Sequence, residues 1–113
     1  MAIQKLERTK WHSYFDSVSE TLRGKPVEIR IVGSQLGNQV QGEKLPLTGL
    51  TYDQKDDVFE IATQSIDHMV RRPKAVYIDA EESRLRSIEV IDAEWNKQII
   101  VFEEWISLPP PAN

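Results

Sequence analysis

The sequence predicts a mainly β (α+β) domain, in which one N-terminal helix packs on a small, strongly bent antiparallel sheet or a partly closed barrel of five or six strands. Two observations carry this prediction: an apolar stripe of helical period near the start, and alternation of period two after Pro26. The 113 residues suit one domain, and they include no cysteine, so the core must hold without disulfides. We expect a single domain over residues 1–108 and a proline-rich tail at 109–113.

The helix is predicted over about residues 10–23. Its apolar stripe follows the spacing i, i+3, i+4, i+7 and i+11 and consists of Trp11, Tyr14, Phe15, Val18 and Leu22. Thr9 is the expected N-cap, because its hydroxyl can accept a hydrogen bond from an unpaired amide of the first turn. Gly24 followed by Pro26 marks the end of the helix.

Strands are predicted where apolar and polar residues alternate between turn signals. They cover residues 27–32, a hairpin of 45–52 and 57–63 after a loop at 33–42, and then 75–79, 87–92 and 98–103. The run at 99–102 is apolar throughout, so the last strand is expected to be buried on both faces. Ile66, Met69 and Val70 have helical spacing, which predicts a helical turn within 64–72 that ends at Pro73.

Several short motifs add a family resemblance. Residues 11–16 read W-H-S-Y-F-D, residues 45–49 read L-P-L-T-G, and His68 precedes Pro73. In these motifs, and over about residues 3–105, the chain resembles a family of small bacterial proteins known only as a domain of unknown function. The resemblance implies one domain and no particular reaction, cofactor or ligand.

The predicted shape also resembles, more loosely, SH3-like barrels and Sm-like barrels. Sm-like barrels bind RNA. Sm-type proteins place a Met-Asn pair that contacts the base after the hairpin aspartate. Residues 54–57 read Gln-Lys-Asp-Asp here, so the RNA-contacting residues are missing. Shape alone does not establish function.

The charge distribution argues against nucleic acid and membranes as partners. Fourteen basic against 18 acidic side chains give a net charge of −4, whereas both partners require a broad positive surface. Arg71, Arg72 and Lys74 form a short basic cluster, for which an acidic peptide or a single phosphate is the expected contact. No apolar run reaches the roughly 20 residues of a membrane span, and residues 1–30 lack a signal-peptide pattern, so a cytoplasmic location is expected.

No catalytic, cofactor or metal residue is assigned from the sequence. Asp67 and His68 are adjacent, as in an acid–base pair, but neither a cysteine nor a G-x-S-x-G motif supplies a nucleophile. The alternative is that Asp67 caps a helical turn and His68 bonds to nearby backbone. A second group of carboxylates, which could suggest a metal site, consists of Asp53, Asp56, Asp57 and Glu60. Their spacing does not match the EF-hand pattern. Aspartates at a hairpin tip usually bond to the backbone of their own turn.

Aromatic residues outside the periodic pattern point to an interface. The predicted interface consists of Trp105, Phe102, Ile100 and Trp95. The alternative is that Trp105 plugs an open end of the barrel. The leading hypothesis is therefore a non-catalytic binding or protein-interaction module that forms a homodimer or docks a protein partner. A nucleic-acid-binding Sm-like or SH3-like module is the second hypothesis, and a small hydrolase or metal-dependent enzyme is the third.

Overall fold

One antiparallel sheet and one helix make up the part of the chain that the computed structural model describes, residues 3–108. The strands are β1 (Ile3–Leu6), β2 (Pro26–Gly33), β3 (Gly37–Asp53), β4 (Val58–Thr63), β5 (Asp67–Arg71), β6 (Ala75–Glu81), β7 (Arg84–Ile91) and β8 (Lys97–Ser107). Their order in the sheet is β1-β6-β7-β8-β2-β3-β4-β5. The mainly β prediction is confirmed, but the sheet has eight strands rather than the expected five or six, and it is not closed, so the barrel alternative is not confirmed.

The sheet bends strongly because its longest strands change partners along their length. The first half of β3 pairs with β2 and its second half pairs with β4. This bend brings β5 back toward β8, although β2, β3 and β4 lie between them in the sheet order. The side chains of His68 on β5 and Gln98 on β8 meet in a hydrogen bond of 2.6 Å. The two edges of the open sheet are β1 and β5.

The helix, α1 (Trp11–Leu22), covers the inner face of the sheet with the predicted stripe. Trp11, Phe15, Val18 and Leu22 are buried in the core, and the ring of Phe15 meets that of Phe59 edge-on at 4.7 Å between centroids. Among residues 3–108, α1 is the longest helix and has 12 residues. No helix in this range is long and apolar enough to cross a membrane.

The start of the helix differs from the prediction. A 3₁₀ turn over Arg8–Lys10 leads directly into α1, so Thr9 already lies in helical conformation and is not the N-cap. Lys10 takes that position without a side-chain hydrogen bond. The segment that leads into the helix is held by Trp11 instead, because the Trp11 indole N–H donates a hydrogen bond of 2.8 Å to the Leu6 carbonyl. The short strand β1 before it was not predicted at all.

The predicted helical turn at 64–72 is also wrong. The hydroxyl of Thr63 accepts hydrogen bonds from the amides of Ser65 and Ile66, and this tight turn sends the chain back as the edge strand β5. Val70 points into the core while Met69 is exposed, as alternation in a strand requires. The expected loop at 33–42 is shorter than predicted, because β3 already begins at Gly37. The predicted tail at 109–113 lies outside the described residues.

Candidate binding surface at the Trp95 turn

The turn between β7 and β8 is held by one buried aspartate. Asp92 Oδ1 accepts hydrogen bonds from the backbone amides of Glu94 and Asn96, at 2.9 and 2.8 Å. The Asp92 amide donates to the Asn96 carbonyl, and the Trp95 amide donates to the Asp92 carbonyl. The turn is therefore fixed by four hydrogen bonds that all involve Asp92.

Asp92 is held in turn by Gln98, and Gln98 is held by His68. Gln98 Nε2 donates to Asp92 Oδ2 at 2.9 Å, which turns the amide oxygen of Gln98 toward His68. Nε2 of His68 must then carry the hydrogen in the bond to Gln98, because an amide oxygen can only accept. Asp92 and Gln98 are both buried, and His68 is half-buried. The network fixes the position of the turn relative to the edge strand β5.

This rigid turn presents Trp95 to solvent. Trp95 is 72% exposed, and its φ of 67° lies in the left-handed region that favours glycine or asparagine. A bulky residue in that region costs about 1–2 kcal/mol of backbone strain. Strain of this kind clusters at ligand-binding sites. An exposed, strained tryptophan on a well-fixed turn therefore indicates a binding surface.

The predicted basic cluster belongs to the same surface. The Lys74 ammonium lies 4.7 Å from the centroid of the Trp95 ring. Arg71 and Arg72 line a cleft of about 290 Å³, and Asp92, Ala93 and Glu94 of the turn form its other side. Within residues 3–108 none of these three cations forms an ion pair with a carboxylate. Exposed Met69 adds an apolar contact at the same cleft. We call Trp95, Met69, Arg71, Arg72 and Lys74 the Trp95 surface.

The other predicted interface residues do not join the Trp95 surface. Ile100 and Phe102 are fully buried in the core and hold the sheet together. The neighbours Ile99 and Val101 are half-buried, so the outer face of β8 is less covered than predicted. Trp105 is half-buried at the far end of β8, and the Arg84 guanidinium lies 5.2 Å from its ring centroid. Trp95 and Trp105 thus lie near opposite ends of β8, and one interface that includes both of them stays a prediction.

The residues considered for catalysis or metal binding take other roles. His68 bonds to Gln98 rather than to Asp67 or local backbone, and Asp67 caps no helix because it begins β5. Asp53 accepts from the amides of Lys55 and Asp56, which confirms the predicted turn role. Within residues 3–108 no three His, Asp or Glu side chains are grouped so that they could hold a metal ion.

A second polar cluster joins the N-terminal segment to the hairpin of β3 and β4. The Arg8 guanidinium lies 4.3 Å from the Trp11 ring centroid and donates to the Pro73 carbonyl and to Asp57. The Tyr52 hydroxyl also donates to Asp57, and burial, followed by this hydrogen bond, raises the pKa of Tyr52. Because Arg8, Tyr52 and Asp57 bond to one another and to the Pro73 backbone, we assign this cluster a structural role.

Sequence reasoning missed the two residues that position Trp95. Asp92 at the start of a tight turn was a detectable signal, because aspartate commonly bonds to the backbone of the turn that follows it. Gln98 gave no signal, since its role depends on a residue of β5 that lies thirty positions away in sequence. Lys74 is brought beside the turn by the pairing of β6 with β7, and Met69 and Arg71 are brought there by the approach of β5 to β8.

The fold and this surface define a small, mainly β domain with a fixed aromatic turn. The chain belongs to DUF5335, a family of unknown function whose model matches residues 2–111. An uncharacterized protein of Aquifex aeolicus (strain VF5) is 38% identical over 110 residues, which cover 96% of this chain and 99% of that protein. No solved structure matches the chain. The predicted membership of a bacterial family of unknown function is thus confirmed.

Proposed function

We propose that this protein is a non-catalytic binding module that recognises an acidic segment of a protein partner on the Trp95 surface. The observation that carries the proposal is Trp95 itself, which is exposed, conformationally strained and held by a buried hydrogen-bond network. Tryptophan and arginine are the residues most enriched among interface hot spots. The unpaired cations beside it favour a ligand with carboxylates, since their charge is not neutralised within the described chain.

The hydrogen bonding of His68 supports a binding role over catalysis. His68 Nε2 is engaged with Gln98, and the chain contains no cysteine. The basic cluster has only three cations and the net charge is −4, whereas nucleic acid requires a broad positive surface, so a short acidic protein segment is favoured over nucleic acid. The predicted cytoplasmic location and the predicted homodimer through Trp105 remain predictions, and the second concerns the opposite end of the molecule.

A peptide titration tests this proposal. The probe is a short fluorescein-labelled peptide in which glutamates alternate with valines and threonines, and binding is followed by fluorescence anisotropy. We expect binding that weakens at least about tenfold in Trp95→Ser and in the double variant Arg71→Ser/Arg72→Ser, because a hot-spot residue contributes more than about 1.4 kcal/mol. Matched controls are Arg23→Ser and Leu36→Ser, which remove an exposed cation and an exposed apolar side chain elsewhere.

Three results would contradict the proposal. The first is a peptide that does not bind at millimolar concentration. The second is an affinity that the Trp95 and arginine variants leave unchanged relative to the controls. The third is preferential binding of a labelled single-stranded oligonucleotide with a steep loss of affinity in salt, which would support the nucleic-acid hypothesis instead.

A further inference from the structure

A groove of about 530 Å³ lies beside Trp105, at the end of β8 opposite Trp95. One wall is the consecutive run 103–107 of β8, and the other is formed by Thr21, Gly24, Lys25 and Pro26. Successive side chains of a strand point to opposite faces of a sheet. A groove that touches every residue of the run therefore follows the backbone edge of β8.

Part of the backbone along this groove has no register partner in the sheet. The ladder between β2 and β8 ends at the pair Val27 and Phe102. The ladder between β7 and β8 passes from Ser87 and Val101 directly to Leu85 and Ile106, so β8 carries a large bulge. Residues 103–105 thus pair with neither neighbour. An unpaired strand edge is a template for pairing with another chain.

The backbone of the opposite wall is bonded elsewhere. The Gly24 amide donates to the Leu47 carbonyl, and the Leu47 amide donates to the Lys25 carbonyl. Pro26 has no amide hydrogen to donate. The α1–β2 connection is therefore tied to β3, and the hydrogen-bonding capacity along the groove belongs to β8.

Charge and symmetry indicate what fits this groove. Exposed Glu103 and Glu104 lie on one wall and exposed Lys25 on the other, and none of the three has an ion-pair partner within residues 3–108. A surface that carries both signs on facing walls is complementary to a copy of itself. A two-fold axis is the commonest way for such a surface to meet its own copy.

We propose that a second copy of this chain occupies the groove. The 103–107 runs of the two copies pair antiparallel about a two-fold axis at Trp105, and Lys25 of each copy faces Glu104 of the other. Trp105 suits the centre of such a contact, because the Arg84 guanidinium packs against its ring and limits its movement. The run is only five residues long, so we expect a dissociation constant on the order of micromolar.

Sedimentation equilibrium with charge-reversal variants tests this dimer. The wild-type chain should sediment as a dimer of twice its 13.0 kDa mass at high micromolar concentration. Lys25→Glu and Glu104→Lys should each weaken dimerisation at least about tenfold, because each places two like charges across the axis. An equimolar mixture of the two variants should restore the wild-type affinity, since every contact then joins opposite charges. Trp95→Ser is the control and should leave the dimer unchanged.

The proposal is overturned by a 13.0 kDa species at all concentrations, by a dimer that neither reversal weakens, or by variants whose mixture does not recover the affinity. Circular dichroism of each variant confirms folding, and Glu104→Arg, which reverses the same charge, replaces Glu104→Lys if the latter does not fold. None of these outcomes depends on the Trp95 surface, so this test and the peptide titration can fail independently.

Discussion

The two ends of strand β8 carry the same residue type in opposite circumstances. Trp95 at the start is exposed, strained and surrounded by cations, whereas Trp105 at the end is half-buried beside carboxylates in the bulged part of the strand. The first is fixed by a network of side chains and the second by packing against Arg84. Packing within the fold therefore accounts for the position of Trp105, whereas nothing in the fold accounts for the exposure and backbone strain of Trp95.

The strongest test of this contrast removes the support of the Trp95 turn. Asp92→Ala deletes the acceptor of three side-chain hydrogen bonds at a buried position. We expect the free energy of unfolding in urea to fall by about 3 kcal/mol, since buried groups left without partners are costly. Asp53→Ala is the matched control, because Asp53 holds an exposed hairpin tip in the same way, and it should cost about 1 kcal/mol or less. Equal losses at both positions would remove the special role of the Asp92 network.

The far end of the strand provides the second test. Trp105→Ser should lower the free energy of unfolding by about 2 kcal/mol, roughly half the cost of truncating a fully buried tryptophan. The measurement is urea denaturation at a protein concentration where the wild type is monomeric. A loss below about 0.5 kcal/mol, the usual range of surface substitutions, would show that packing at Trp105 contributes nothing to the fold.

A gain in stability, rather than a loss, is expected from a substitution at Trp95. Trp95→Asn places a residue that tolerates the left-handed conformation at that position, so the free energy of unfolding should rise by about 1 kcal/mol. The loss of the contact with Lys74 reduces the gain by about 0.5 kcal/mol at an exposed site. Thermal and urea denaturation should agree in sign. A destabilised Trp95→Asn variant would mean that Trp95 serves the fold after all.

The smallest change in stability is expected at Thr9, which lies away from both ends of β8. Thr9 lies within the 3₁₀ turn and makes no capping hydrogen bond, so Thr9→Ala should change the free energy of unfolding by no more than about 0.5 kcal/mol. A functional N-cap would instead cost about 1 kcal/mol on removal. Urea denaturation separates the two values. The larger loss would show that the helix begins at Thr9 in solution.

The sequence predicted the interior of this fold better than its edges. The stripe of α1 and the alternation in β2 were readable because burial on one face enforces the period of the side chains. The edge strands β1 and β5 were missed or mistaken, since only Val70 among their side chains is buried and little enforces alternation. The helical spacing of Ile66, Met69 and Val70 is a coincidence, and a pattern of three residues is too short to distinguish a helical turn from a strand.

The candidate surface was predicted in parts but not as a whole. Trp95 and the basic cluster each stood out against the periodic pattern, and both are exposed as expected. Lys74 reaches the turn because β6 pairs with β7, whereas Met69 and Arg71 reach it because β5 approaches β8, where His68 bonds to Gln98. The length of β8 separates Trp95 from Trp105, which were predicted to share one interface.

The central claim is that Trp95 is retained for binding at a cost to stability. The most direct measurement takes the Trp95→Asn variant and determines both its free energy of unfolding and its affinity for the glutamate-rich peptide. The account predicts a protein that is more stable by up to about 1 kcal/mol and binds the peptide at least about tenfold more weakly. A variant that is less stable and binds the peptide as tightly as the wild type would contradict it.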